Sequence, residues 1–232
     1  MGKTWLYAGT PVASGGTYGV YSYTMSDNPF GADNQQGSPP LADPSETTRR
    51  APHSILKAYL LGALHDGTYS SLHKTFRISQ SSKKWLEMLQ NMFSILGHKS
   101  WIYKEGKQRS VYVLETTASF LDMRFDPLSL SSLEEQLAYV RGYFDAEGGT
   151  PHSSHASLYI QICQKNRSEI EKVKFILQNA GIQCGKVHNP SKAVDPHYWR
   201  VYIRAVSHQE FMSKVSSWHP RKYALFQKRM MI

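Results

Sequence analysis

Cysteine is almost missing from this chain: Cys163 and Cys184 are the only two in 232 residues, and neither has a CxxC partner. That argues against a disulfide framework and against a cysteine zinc site. The ten histidines show no HExxH spacing, so each reads as a surface or contact residue, not a ligand. No GxxxxGK(S/T) loop occurs, which leaves nucleotide-driven chemistry without support. Long apolar runs of about 18 residues are lacking, and the N-terminus does not follow the basic-then-apolar order of a signal peptide. A soluble, intracellular protein is expected.

Acidic residues are also scarce, 18 against 27 lysines and arginines, for a net charge of +9. Residues 1–54 carry three basic and four acidic side chains, so residues 55–232 hold +10. A basic folded body favours a polyanionic partner, nucleic acid first and an anionic membrane surface second. Hydrophobic residues at 41% and aromatics at 12% are enough for a packed core.

Residues 1–53 differ in kind from the rest: rich in Gly, Ser, Pro, Asp and Asn, with scattered tyrosines and no sustained period. They read as an extended or disordered arm. Arg49, Arg50 and the tyrosines suit an arm lying along a nucleic-acid backbone; an incidental leader fits the same composition.

From residue 54 the chain repeats itself. FRISQSSKKWLEMLQNMFSILG (76–97) lies over IQICQKNRSEIEKVKFILQNAG (160–181) at an offset of 84, matching Gln80 to Gln164 and Gly97 to Gly181. Upstream, AYLLG (58–62) lies over AYVRG (138–142) at an offset of 80; downstream, VYV (111–113) is set against VYI (201–203). The halves are 54–130 and 131–232. Each reads as an apolar helix (54–66; 132–147), an alternating strand, an amphipathic helix (83–96; 167–180) stopped by glycine, two strands (99–105 and 110–116; 183–189 and 198–205) and a closing helix (117–124; 207–217). In the first half Leu72, Phe76 and Ile78 point one way and Tyr69, Ser71, His73, Thr75, Arg77 and Ser79 the other. The fold class expected is α+β: two pseudo-symmetric αββαββα repeats, each sheet antiparallel with one face on its helices and one polar face left over. Candidates for that polar face are His73, Arg77, Lys104, Arg109, Tyr112, Gln161, Lys186, Arg200, Tyr202 and Arg204. Such a face suits a groove of double-stranded DNA, where Arg and Lys read guanine and Gln reads adenine.

Ala138, Gly142 and Ala146 recur every four residues, and Ala58 and Gly62 stand at the matching places. Small side chains let two helix backbones approach closely. Packed stripe to stripe, the helices bring Asp66 and Glu147 together at the centre of the molecule. Neighbouring carboxylates repel unless a cation joins them. Carboxylates with water suit Mg²⁺, which can activate water and stabilise a leaving oxygen in phosphodiester hydrolysis.

AYVRGYFDAEGG and AYLLGALHDGT resemble the two motif copies of the LAGLIDADG homing endonucleases in their monomeric, two-repeat form. The resemblance covers about residues 54–232. It implies a two-helix central interface, saddle-shaped sheets on a long asymmetric DNA site, and Mg²⁺-dependent cutting of both strands. It also implies one catalytic acid per helix just before the final glycine: Glu147 before Gly148, and Asp66 before Gly67. Gly67 and Ala146 fall within the metal site on the same alignment. Gln80 and Gln164 match the family's glutamine that organises water. Arg221 or Lys222, in HPRKYALF, resembles its basic residue near the scissile phosphate.

Two departures stand out. Gly142 and Glu147 are five apart, Gly62 and Asp66 only four, and one residue rotates a helical side chain by about 100°. The first half also lacks a match to Arg221–Lys222, so Arg124 or Lys104 would have to serve. His65 stands where the second copy has Asp145, which is read as structural. The alternative is a DNA-binding protein or RNA maturase on this fold that does not cleave.

Overall fold

A computed structural model describes residues 43–106, 109–153 and 155–230, so residues 1–42 of the arm lie outside the described residues. The end of the arm is helical. α1 (Pro44–Arg50) starts where the Asp43 carboxylate accepts from the Ser45 N–H at 2.7 Å, with proline in its first turn and a Glu46–Arg50 pair at 2.8 Å. Its lack of an apolar stripe hides it from a periodicity argument.

α2 (His53–Ala63) is apolar all round from Ala58 onward, with His53, Ser54 and Lys57 exposed before it. Ile55 and Leu56, then every residue from Ala58 to Ala63, are buried, which is the pattern of a helix enclosed on every side. Its partner α4 (Leu133–Glu147) begins on Ser132, whose hydroxyl accepts from the Glu135 N–H at 3.2 Å while the Glu135 carboxylate takes the Ser131 N–H at 3.0 Å. The two pack backbone to backbone at their glycines. A Cβ on Gly62 would overlap the carbonyl oxygen of Tyr139, and a Cβ on Gly142 would overlap that of Tyr59. The reciprocity is that of a two-fold axis between the helices. Leu56 and Leu60, fully buried here, each contribute about 1.5–3 kcal/mol by leaving water.

The amphipathic helices are α3 (Lys83–Ile95) and α5 (Arg167–Asn179). Both stop at a left-handed glycine, Gly97 (φ 76°) and Gly181 (φ 83°). The following N–H turns back in both, His98 to Phe93 O at 2.8 Å and Ile182 to Leu177 O at 2.9 Å.

The first sheet has the order β1 (Gly67–Ser70), β2 (Thr75–Gln80), β4 (Tyr112–Thr116), β3 (Ser100–Lys104), all antiparallel. The second has β5 (Gly148–Gly149), β6 (Gln161–Gln164) and β7 (Trp199–Tyr202) in that order. Register equates the halves: Ile78 faces Leu114 as Ile162 faces Val201. The VYV–VYI match of the sequence is therefore displaced, because Leu114 and not Val111 is the counterpart of Val201.

Three predicted elements differ. The alternation read over 69–79 is broken: β1 and β2 are the paired strands that the αββαββα pattern requires before α3, and residues 71–74 turn between them with Lys74 at φ 53°. Residues 117–124 form turns, not a closing helix. There the Thr116 hydroxyl bonds Lys99 O at 2.8 Å and accepts the Ala118 N–H at 3.2 Å, and the Asp122 carboxylate takes the Arg124 N–H at 2.8 Å. Such side-chain bonds compete with helical ones. The 183–189 strand survives as the isolated bridges Cys184–Ile203 and His188–Arg200. The second half does close on a helix, α6 (His208–Lys214), and adds α7 (Pro220–Met230). Among the described residues no helix is long and apolar enough to cross a membrane.

Candidate active site

The ends of α2 and α4 differ by one residue, and the backbone absorbs the difference. α2 gives way to a 3₁₀ turn, Leu64–Asp66, in which the Gly67 N–H returns to Leu64 O; α4 stays α-helical, and the Gly148 N–H returns to Phe144 O. Leu64 and Phe144 each stand two residues past the packed glycine, so the same carbonyl receives the closing bond in both copies. A 3₁₀ turn rises about 2.0 Å per residue against about 1.5 Å in an α-helix. One α step and three 3₁₀ steps thus advance about 7.5 Å, as do five α steps, and the angular error falls from about 100° to about 40°. The sheets agree: Gly67 pairs with Ile78 and Gly148 with Ile162. Asp66 and Glu147 therefore enter their sheets in equivalent register.

Both acids are half-buried and electrostatically strained. Burial, then the charge of Glu147, raises Asp66 to about 7, with Lys222 pulling the other way. Burial raises Glu147 also, against Lys222 and Lys165. The Gln80 amide donates to Asp66 Oδ2. Gln164 does not mirror it: its Oε1 takes the Lys165 N–H at 2.6 Å, and among the described residues it makes no hydrogen bond to Glu147.

Lys222 is the cation of this centre. It is only 4% exposed, and its Nζ donates to Phe144 O at 2.5 Å and Asp145 O at 3.0 Å, carbonyls in the last turn of α4, the first of which also takes the Gly148 N–H. Burial lowers it to about 8 while Asp145, Asp66 and Glu147 favour its charge. Arg221 is exposed and turned aside, donating to Thr150 Oγ1 and Pro151 O at 3.3 Å each. The sequence held the distinction: Lys222, Leu225 and Phe226 follow an i, i+3, i+4 pattern after Pro220, which puts Lys222 on the buried face of α7 and Arg221 off it. In the first half, Arg124 lies in the Asp122 turn and Lys104 is exposed on β3, so the basic neighbour of Asp66 comes from the other half.

Asp145 is structural. Its carboxylate accepts from Tyr59 Oη at 2.7 Å, from the N–H groups of Trp218 and His219 at 2.8 and 3.0 Å, and from Ser217 Oγ. It ties α2 to the segment leading into α7. In the other copy His65 Nε2 meets Tyr139 Oη at 2.6 Å, and burial lowers His65 to about 4, so it is neutral. Tyr59, Tyr139 and Ser217 give no local signal of these roles.

The fit to a hard divalent cation rests on the donor chemistry. Two half-buried carboxylates are held above their ordinary pKa by burial, and each would be relieved by a cation. The main chain of Gly67 and Ala146 lies beside them. Among the described residues no group of three or more His, Cys, Asp or Glu that could hold a metal ion gathers anywhere, so this centre offers two carboxylates and main-chain oxygens.

The polar faces hold four of the ten predicted contact residues. On the second sheet Gln161, Arg200 and Tyr202 share the side opposite Ile162 and Val201. On the first, Arg77 shares its side with Thr75, Tyr103 and Glu115. Lys104 and Tyr112 do not: they pair with each other, Tyr112 pairs with Gln80, and all three fall on the Ile78 side. The strand starts at Tyr112, so alternation places that residue with the core side. His73 is exposed in the hairpin turn, and Arg109, Lys186 and Arg204 are exposed on connecting segments.

A family model described as the LAGLIDADG-like domain matches residues 56–123 and 134–215. The homing endonuclease I-ApeI of Aeropyrum pernix is 26% identical over 187 residues, 71% of this chain and 82% of that protein. Among solved structures, I-DmoI in complex with DNA and Mn superposes with a TM-score of 0.54 at 21% identity, covering 71% of this chain and 98% of its own. The N-terminal LAGLIDADG domain of DUF199/WhiA superposes with a TM-score of 0.57 at 15% identity, covering 74% and 87%. With two matched segments that coincide with the two helix-led halves, this chain belongs to the LAGLIDADG-like domain family.

Proposed function

We propose that the chain is a site-specific endonuclease that cuts both strands of a long, asymmetric double-stranded DNA target with Mg²⁺, acting as a monomer whose two halves stand in for two subunits. The observation that carries this reading is the junction of the helix ends, where Asp66, Glu147 and Lys222 share one centre. The similarity to I-ApeI and the DNA and Mn named for I-DmoI support it.

Asp66 and Glu147, with the main chain at Gly67 and Ala146, would hold the metal. Bound there, a divalent ion supplies a Lewis acid for the phosphate and lowers the pKa of water. Gln80, on Asp66, orients water on one side. Lys222, held by the α4 carbonyls, keeps an ammonium facing the scissile phosphate's developing charge. Asp145 fixes α7 and so acts through Lys222. Arg77, Gln161, Arg200 and Tyr202 face the DNA from the sheets. Arg221 belongs beside the site, not in it.

The test is cleavage of a target selected from a random duplex library, in Mg²⁺ and in EDTA. Glu147→Gln and Asp66→Asn are expected to bind the target yet lose on the order of 100-fold or more in cutting. A wild type that binds its target tightly and never cuts it establishes the second reading, a binding protein or RNA maturase. The specific observation favouring that reading is Gln164, whose Oε1 is taken by the Lys165 N–H and which makes no hydrogen bond to Glu147 among the described residues.

A further inference from the structure

On the outer face of each sheet an arginine is held by a tyrosine hydroxyl that has already given its proton away. In the first sheet, Arg77 Nη2 donates to Tyr103 Oη at 2.9 Å, and Tyr103 donates to Glu115 Oε2 at 3.1 Å. Thr75 Oγ1 occupies the other oxygen of Glu115 at 2.5 Å. In the second, Arg200 Nη2 donates to Tyr198 Oη at 3.0 Å, and Tyr198 donates to Cys163 Sγ at 3.2 Å. Arg200 Nη1 donates to Tyr202 Oη at 2.8 Å, and its guanidinium carbon lies 5.3 and 5.5 Å from the centroids of the two rings.

A phenol carries one proton. Once that proton is committed to Glu115 or to Cys163, the oxygen can only accept, which fixes the guanidinium that feeds it. Each terminal nitrogen has two N–H groups, so Arg200 keeps one on each side and Arg77 keeps both on Nη1. A long side chain held this way loses little freedom on binding. A planar fork with free N–H groups in fixed positions matches the O6 and N7 acceptors of guanine.

The two arginines are not at equivalent places. Arg77 stands opposite Glu115, where the second sheet has Gln161 opposite Tyr202. Arg200 stands opposite Cys163, where the first sheet has Val113 opposite Ser79.

We propose that Arg77 and Arg200 each read a guanine, that Tyr103 and Tyr198 are their positioning residues, and that the two guanines lie at unequal distances from the centre of the target. This rests on the DNA-endonuclease reading above. The experiment selects target sites from a randomised duplex library with the wild type, then profiles every single-base variant of the selected site. Arg77→Lys and Arg200→Lys keep the charge and lose the fork. Each is expected to lose about 5- to 150-fold discrimination at one G·C pair, a different pair for each, with the salt slope of binding unchanged. Tyr198→Phe, which leaves Arg200 in place, is expected to relax the same pair as Arg200→Lys by a smaller factor. It serves as the check should a lysine variant fail to fold. Preferences left intact with a uniform loss of affinity overturn the inference, as does loss at symmetry-related positions. A wild type that enriches no sequence overturns the endonuclease reading as well; one that enriches and cuts a site while the variants keep every preference overturns the inference alone.

Discussion

The Tyr59 hydroxyl donates to Asp145 Oδ2 at 2.7 Å across the α2–α4 contact, and the same hydroxyl accepts the Trp85 indole N–H at 2.9 Å. The counterpart pair, Tyr139 with His65 at 2.6 Å, is neutral on both sides. Tyr59→Phe strands a buried indole N–H and takes one donor from a buried acid, so it should cost about 1–3 kcal/mol. Tyr139→Phe should cost about 0.5–1.5 kcal/mol. Urea midpoints of the two variants would show the order, and equal losses would contradict it.

Gly62 and Gly142 admit no side chain, since a Cβ on either meets the other helix's backbone. Gly62→Ala and Gly142→Ala should each destabilise by about 1–3 kcal/mol or more, because the helices must separate. Gly185 is the control: its added Cβ lies 3.5 Å from Tyr202 O, and Gly185→Ala should stay within about 0.5 kcal/mol of wild type.

Without metal, Asp66 titrates near 7, against 3.8 for an unperturbed aspartate. Between those values the folded protein holds a proton that the unfolded chain has released. Stability therefore falls as pH rises through this window, and the penalty is complete above 7. In EDTA, Asp66→Asn should be more stable than wild type at pH 8, by on the order of 1–3 kcal/mol after allowing for partial exposure, and equal to it at pH 3.5. Mg²⁺ at pH 8 should raise the Tm of wild type and leave that of the variant. Thermal melts across pH decide both points.

If a 3₁₀ turn replaces an α turn at Leu64–Asp66, restoring the lost residue should be harmless. One alanine inserted between His65 and Asp66 copies the spacing that Asp145, Ala146 and Glu147 have in α4. The insertion is expected to melt within a few degrees of wild type and to cut both strands. A Tm drop above about 8 °C, about 2–4 kcal/mol for a domain of this size, would show that the two turn types are not interchangeable.

The central helices and their acids were legible because their signals are local: small residues four apart, glycines after amphipathic runs, an acid before a glycine. The β1–β2 hairpin was not, because it turns at Lys74 with a positive φ and has no glycine or asparagine there to announce it. Residues 117–124 misled because their helical pattern loses to Thr116 and Asp122 side-chain bonds. The choice between Arg221 and Lys222 was present in the spacing of Leu225 and Phe226, once α7 is granted. The structural place of Asp145 is legible, but its partners Tyr59 and Ser217 lie 86 and 72 residues away, beyond any local pattern.

Lys222 lies on α7, which has no twin in the first half among the described residues. A protein made by doubling residues 54–130 would still close around Gly62 and still place two aspartates together, but it would contain no ammonium between them. The doubled second half would carry two. Charge balance at the centre therefore needs both halves, and doubling either one alters it.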